Sequence, residues 1–393
     1  MVCKGYKWSG VYAGIKGRRK KDLGLIFSEN PASVAAVFTK NLVKAAPVVL
    51  TARRVVNGLC HAVVVNSGNA NCCTGEAGMR DAERMTRIVA DALGVDEAFV
   101  LVASTGVIGV PLPVEVIERA VPNLVKKLSY GSLQDFAKSI MTTDRFAKVA
   151  TVHEKMPGGE EFTICAVAKG AGMIRPDMAT MLCFVCTDLK ADAEFLSKAL
   201  AVAVDKSFNA ITVDGDTSTN DTVIIMANGA GKARISGDDE KKCFCRALDR
   251  TLMDLARLMV KDGEGATKLI DVRVRGACSA PDARLVADAV ANSSLVKTAF
   301  FGEDANWGRI MAAIGRSGAN IMPESTDIFF DEVQVVSNGL GCGLPAEEKA
   351  GLVLKRNEIT LLIDLKTGGA GEARVLTCDL STEYVKINSD YRS

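Results

Sequence analysis

Short runs rich in Val, Ile and Ala alternate along this chain with segments whose apolar residues recur at helical spacing, and that alternation constrains the fold more than any other feature. His61 to Asn66 reads as a strand that ends in the turn-rich stretch NSGNANCCTG. A helix is expected from about Ala77 to Leu93, with Gly94 as its stop. A strand over Ala98 to Ala103 then leads into STGVIG, Ser104 to Gly109. Pro111 and Pro113 open a helical region that Pro122 is expected to interrupt, and a further helix is read over Leu133 to Met141. Thr151 to Val167 reads as a hairpin about Pro157-Gly158-Gly159, and Met181 to Cys186 as a buried strand. Further on come a helix from Ala191 to Asp205, a strand Val223 to Ala227, a long helix from about Glu240 to Lys261 and another around Ala283 to Ala291. FFGEDANWGR is taken as a loop, and strands are expected to run up to YVKINSDYRS. The class is α/β, mixed sheets packed with helices.

A length of 393 residues with 48% apolar content allows a large core, in two or three domains or one large entwined one. The formal charge of +1 points neither to nucleic acid nor to an anionic membrane surface, so small molecules or copies of the chain are the expected partners. The first residues lack the apolar core of a signal peptide and no long unbroken apolar stretch follows, so a cytoplasmic protein is expected. The twelve cysteines are scattered and often lie in apolar runs, as reduced buried residues do. Two histidines, His61 and His153, are all the chain has, which makes an amine or a carboxylate the expected base of any catalytic site.

Several motifs almost fit and fail. Asp214, Asp216 and Ser218 open like a calcium loop, but Thr219 stands where the turn glycine belongs and Ile225 where the bidentate glutamate belongs. Gly229-Ala230-Gly231-Lys232 ends like a phosphate-binding loop, yet Ala233 replaces the magnesium-binding hydroxyl. The stretch Lys169 to Asp188 has glycines, a Pro-Asp turn and the small pair Ala179-Thr180 ahead of the buried strand. A threonine there is ordinarily only a β-branched residue in a comfortable place.

Taken together, NSGNANCCTG, STGVIG, KGAGMIRPDMATML, SFNAITVDGDTSTNDT, DGEGATK, DANWGR and INSDYRS resemble the ornithine acetyltransferase family of arginine biosynthesis, also called glutamate N-acetyltransferases. The runs are long and collinear from Asn66 to Ser393. The resemblance implies a self-cleaving two-chain acetyltransferase fold in which the bond between Ala179 and Thr180 breaks, leaving an α chain 1–179 and a β chain 180–393 that stay associated. It further implies a multifunctional, heterotetrameric enzyme of two chains of each kind, acting on acetylornithine and glutamate without cofactor or metal. Whether acetyl-CoA is also a donor stays open.

The residues suit the implied chemistry. Thr180 would be nucleophile, and its freed α-amine, with a reference pKa near 8, the base. Thr105 and Gly106 match the oxyanion donors. Lys169 matches a substrate-binding lysine, and Glu264 a glutamate able to take the amine of ornithine. Thr142 and Thr143 include one binding position, with the choice open between them. Asn388 and Ser393 match the last binding positions, so the C-terminal segment is expected to fold back into the site. The family pattern departs here at Ala305, usually proline, and at Ser393, often threonine. Two rivals remain: an N-terminal-nucleophile amidase or peptidase using water as acceptor, and an uncleaved binding protein of the same architecture.

Overall fold

The computed structural model describes residues 3–17, 20–175 and 181–390, which divide into two compact units. The first, the described residues up to 209 and 216–259, carries β1 (Tyr6–Val11), β2 (Leu23–Phe38), α1 (Ala46–Val55), β3 (Leu59–Asn69), α2 (Gly75–Leu93), β4 (Val100–Val107), α3 (Val114–Lys126), α4 (Leu133–Ser139), β5 (Lys148–Lys155), β6 (Glu161–Lys169), β7 (Leu182–Thr187), α5 (Ala193–Lys206), β8 (Thr222–Ala227) and most of α6 (Asp238–Lys261). Eight strands form one mixed sheet in the order β4-β3-β2-β8-β7-β6-β5, with β1 also on β2.

β2 turns this sheet into two layers. Its first part pairs with β3 from Leu23↔Asn66 to Ser33↔Leu59, and its last part pairs with β8 from Ser33↔Ala227 to Phe38↔Thr222. The register with β3 breaks between Phe27 and Ala32, where Pro31 sits at a bulge that bends the strand. The layers then share a core. Val63, Val65, Leu101 and Ala103 from one face Leu182, Phe184, Ile224 and Met226 from the other, closed by Phe136 of α4. The intervening residues Ala62, Val64, Val100 and Val102 point outward under α1, α2 and α3, the period-two alternation of a strand covered on both faces. Phe244 of α6 packs on Phe162 of β6 and Phe195 of α5.

The second unit, the described residues 210–215 and 260–390, carries β9 (Leu269–Ala277), α7 (Ala280–Ala291), α8 (Ser294–Phe301), α9 (Trp307–Gly315), β10 (Asp327–Phe330), β11 (Val333–Ser337), β12 (Leu340–Gly341), α10 (Leu344–Leu354), β13 (Glu358–Asp364), β14 (Gly371–Cys378) and α11 (Thr382–Asp390). Its six strands run β12-β11-β10-β13-β9-β14, with β13 and β9 parallel. Helices α7, α9 and α10 cover one face through a core that includes Val272, Val286, Ile314, Val353 and Ile363. The α/β class with mixed sheets packed with helices is thus observed in both units.

Three local expectations need correction. Pro122 does not interrupt its helix: it lies inside α3 on the exposed side, where water can satisfy the carbonyl left without a donor. Only residues 302–306 of FFGEDANWGR are non-helical, because Asn306 caps α9 by accepting Arg309 N–H at 3.1 Å. The segment around YVKINS is helix α11 rather than strand. Glu383 lies in its first turn, pairs with Lys386 at 3.4 Å, and Asn388 Nδ2 reaches back to Tyr384 O at 3.0 Å.

Candidate active site

Ala179, Thr180 and Ser393 lie outside the described residues, so the site is built from the groups that surround the junction in sequence and sheet. β6 delivers Lys169 and β7 receives the chain after the junction; the two strands are antiparallel and pair Lys169 with Leu182. Lys169 is buried and its Nζ donates to Thr142 Oγ1 at 3.3 Å. Thr142, not Thr143, makes this contact, and its own N–H donates to Asp144 Oδ2 at 2.9 Å.

Asp144 is the hinge of this cluster. Its Oδ1 accepts from Lys148 Nζ at 2.6 Å and from Gly170 N–H at 2.8 Å, so one carboxylate ties the 142–148 segment to the residue after Lys169. Burial alone would raise its pKa, but the charges of Lys148 and Lys169, with the hydrogen bonds from Lys148 and Gly170, carry it down to about 2. Lys16 donates to Met141 O on the same segment. Burial lowers its pKa to about 8 against the pull of Asp22, with the nearby charge of Lys169 acting in the same direction as burial. Asp22 in turn accepts four backbone N–H groups, from Ala13, Gly14, Ile15 and Lys16, at 2.6 to 3.1 Å, which fixes the loop carrying Lys16.

Thr105 and Gly106 stand at the end of β4, paired with Ser67 and Gly68 of β3. Gly106 has φ +135°, and a Cβ there would lie 2.3 Å from the Gly68 carbonyl carbon, so only glycine lets the two strand ends approach. The asparagines of NSGNAN secure this corner. Asn66 Oδ1 accepts the Ser104 hydroxyl at 2.6 Å, while its Nδ2 donates to Asn69 O at 2.9 Å. Asn220 Nδ2 bridges Ala70 O and Ser104 O at 2.7 and 2.8 Å. Thr105, at the strand's end, is buried and its backbone is paired with Ser67 and Asn69 of β3.

In the second unit Glu264 and Asn388 come together, Asn388 Nδ2 donating to Glu264 Oε2 at 2.8 Å. Asp379 holds the segment behind Glu264 by accepting from Thr267 N–H, Thr267 Oγ1 and Lys268 N–H at 2.6 to 2.9 Å. Gly265, at φ +69°, leaves no room for a side chain, since a Cβ would meet Tyr384 N at 2.5 Å.

The structure therefore joins Lys169 to Thr142, Thr105 to Gly106, and Glu264 to Asn388. Lys16, Asp22, Asp144, Lys148, Asn220 and Asp221, whose Oδ1 accepts Met181 N–H at 2.9 Å, were not foreseen as site residues. MTTD and SFNAITVDGDTSTNDT contain three of them, and a buried carboxylate or amide there was the missed signal. His61 bonds to Ser28 O and His153 to Thr163 and Glu161, so each histidine has a local partner away from these groups.

The chain is similar to known proteins over its whole length. Residues 7–393 match the family model described as the ArgJ family. The "Arginine biosynthesis bifunctional protein ArgJ" of Geobacter sulfurreducens is 54% identical over 395 residues, covering all of both chains. That of Syntrophotalea carbinolica is 53% identical and covers 99% of each chain. A crystal structure of the Bacillus halodurans protein of the same name is 41% identical, with a TM-score of 0.50, covering 53% of this chain and 98% of its own. With a family model spanning nearly every residue and full-length relatives above half identity, the chain belongs to the ArgJ family of arginine biosynthesis bifunctional proteins.

Proposed function

We propose that this chain cleaves itself between Ala179 and Thr180 and then carries an acetyl group from N2-acetyl-L-ornithine to L-glutamate through an acetyl-Thr180 ester. The observation that carries the reading is the contact of Thr142 with the buried Lys169 and Asp144, held at the sheet position next to the strand that begins just after Thr180. In the first step Thr180 Oγ attacks the Ala179 carbonyl, the bond to Thr180 N breaks and that nitrogen takes the proton. Water then opens the ester, leaving Ala179 as a carboxylate and Thr180 with a free amine and hydroxyl.

In turnover the amine takes the hydroxyl proton as Oγ attacks the acetyl carbonyl of acetylornithine. Breaking the amide sends that proton to the departing α-amine of ornithine. The α-amine of glutamate attacks the acetyl ester and restores the hydroxyl. The Thr105 hydroxyl and the Gly106 N–H serve the developing oxyanion, each donor contributing roughly 3 kcal/mol. Lys169 serves the amino-acid carboxylate, Thr142 orients Lys169, and Glu264 with Asn388 serves the side-chain ammonium of ornithine. The α and β chains remain together, two of each in the assembly, working in the cytoplasm with no cofactor. Fragment 180–393 is 214 of 393 residues, close to the 53% of this chain that matches nearly the whole B. halodurans polypeptide.

A second donor is favoured by the word bifunctional in the relatives' name: acetyl-CoA, giving acetylglutamate by the same ester. Two experiments test the reading. Acetyl-labelled acetylornithine delivers label to glutamate faster than to water; the reverse order would make this an amidase. Thr180→Ala yields a single full-length band on denaturing electrophoresis and no transfer, whereas a Thr180→Ala chain that still splits at 179/180 removes Thr180 from the mechanism.

A further inference from the structure

Asn220 and Asp221 lie side by side in the segment that leads into β8, and the route above gives neither a role. Both are buried. Asn220 faces one way, donating to Ala70 O and to Ser104 O, the carbonyl immediately before Thr105. Its own Oδ1 accepts the Thr219 hydroxyl at 2.7 Å, which fixes the orientation of the amide. Asp221 faces the other way, its Oδ1 accepting Met181 N–H at 2.9 Å. That nitrogen belongs to the peptide bond linking Met181 to Thr180.

The backbone between the two side chains is itself pinned. Thr222 N–H donates to Met181 O at 3.1 Å, Thr39 N–H to Asp221 O at 3.0 Å and Ala45 N–H to Thr219 O at 3.0 Å. Two adjacent residues therefore measure the gap between the strand end that bears the oxyanion donors and the first described residue after the scissile bond. Such a gauge matters because acyl transfer is sensitive to small displacements of nucleophile against oxyanion donors.

We propose that Asp221, backed by Asn220, is a positioning residue for acyl transfer: by holding the Met181 amide it keeps the nucleophile's peptide unit in register with Thr105 and Gly106. This rests on Thr180 being the nucleophile. Asp221 Oδ2 is buried and has no hydrogen-bond partner among the described residues. Burial pushes the carboxyl well above its ordinary range, outweighing the Met181 amide, the Lys169 charge on β6 and the nearby hydroxyls of Ser218 and Thr39. Burial thus favours the uncharged form of Asp221, with Oδ1 left to accept the Met181 amide. An ionised carboxylate at this place would oppose the negative charge that develops at the oxyanion, and a neutral one does not.

The test compares Asp221→Ala with Asp221→Asn, which keeps the accepting oxygen and the neutral charge. Acetyl transfer is measured per split chain, with splitting read on denaturing gels of the same preparations. Asp221→Ala lowers kcat about a hundred-fold while KM for acetylornithine stays within about three-fold, and Asp221→Asn recovers kcat to within about ten-fold of wild type. The pH–rate profile of Asp221→Asn overlays that of the wild type. Wild-type kcat in Asp221→Ala overturns the proposal, as does a folded, split Asp221→Asn as slow as Asp221→Ala or shifted in its pH profile. If Asp221→Ala does not fold, Asp221→Asn alone decides by the same limits. A wild-type chain that neither splits nor transfers overturns both the function and this inference, whereas an active wild type with an indifferent Asp221→Ala overturns this inference alone.

Discussion

Asp144 and Lys148 are a carboxylate and an ammonium whose side chains are both fully buried, 2.6 Å apart. Stripping water from both charges costs several kcal/mol, which their mutual attraction and the Gly170 and Thr142 amides help to offset. Removing one partner is therefore worse than removing both. Asp144→Asn is expected to cost about 3–5 kcal/mol of stability, and Asp144→Asn with Lys148→Met to recover most of it, measured by urea unfolding. Neither variant regains full transfer, because the single amide oxygen of Asn cannot hold both the Thr142 and the Gly170 N–H groups, which Asp144 takes on separate oxygens. The pH dependence has a definite sign. The folded pKa of about 2 lies below the ordinary value, so the contribution of Asp144 is full above roughly pH 4 and is lost as pH falls through about 2. Wild-type stability should therefore fall over that window by more than that of the double variant; parallel acid profiles would show that the pair does not govern it.

At the scale of elements, α11 shows where sequence patterns stop being informative. It has no buried residue, so no apolar face marks it as a helix, and its evidence is local: Glu383 in the first turn, an i,i+3 ion pair and the Asn388 contact to Tyr384 O. Strands β3, β4 and β7 were legible because both faces are buried and the apolar run cannot be anything wetter. Pro122 misled because the cost of a missing donor depends on whether its carbonyl partner faces water. The same limit hid half the site. Thr105-Gly106 and Lys169 are singled out by the family resemblance of STGVIG and KGAGMIRPDMATML, but Asp221 acquires meaning only from Met181, forty residues earlier in the chain. Helix α11 places Asn388 on Glu264. Deleting the residues after Ile387 should abolish acetyl transfer while leaving self-cleavage intact, followed by gel and by transfer assay; full activity in the truncated chain would remove Asn388 and Ser393 from substrate binding.

For the whole molecule, the proposed cut at 179/180 would fall in the chain between β6 and β7, which are neighbours in one sheet. β7 and β8 would belong to the second fragment, yet β7 pairs along its length with β6 of the first, and β8 with β2. Leu182, Phe184, Ile224 and Met226 also fill the layer core opposite Val63, Val65 and Leu101. Separating the fragments would expose that apolar surface and leave two ladders of backbone groups unpaired, so scission alone supplies no route to dissociation. The fragments should co-elute on native size exclusion and part only in denaturant. Scission does change the thermodynamics of unfolding, since the unfolded state becomes two chains that must find each other again. The melting midpoint of split protein should therefore rise with concentration, while that of uncut Thr180→Ala contains no such term for the α–β pair. Melting both proteins over a hundred-fold range of concentration, about 0.5 to 50 μM, separates the two behaviours. Equal concentration dependence in both would mean that only assembly of larger units is being read, and that the 1–179 and 180–393 fragments unfold without parting.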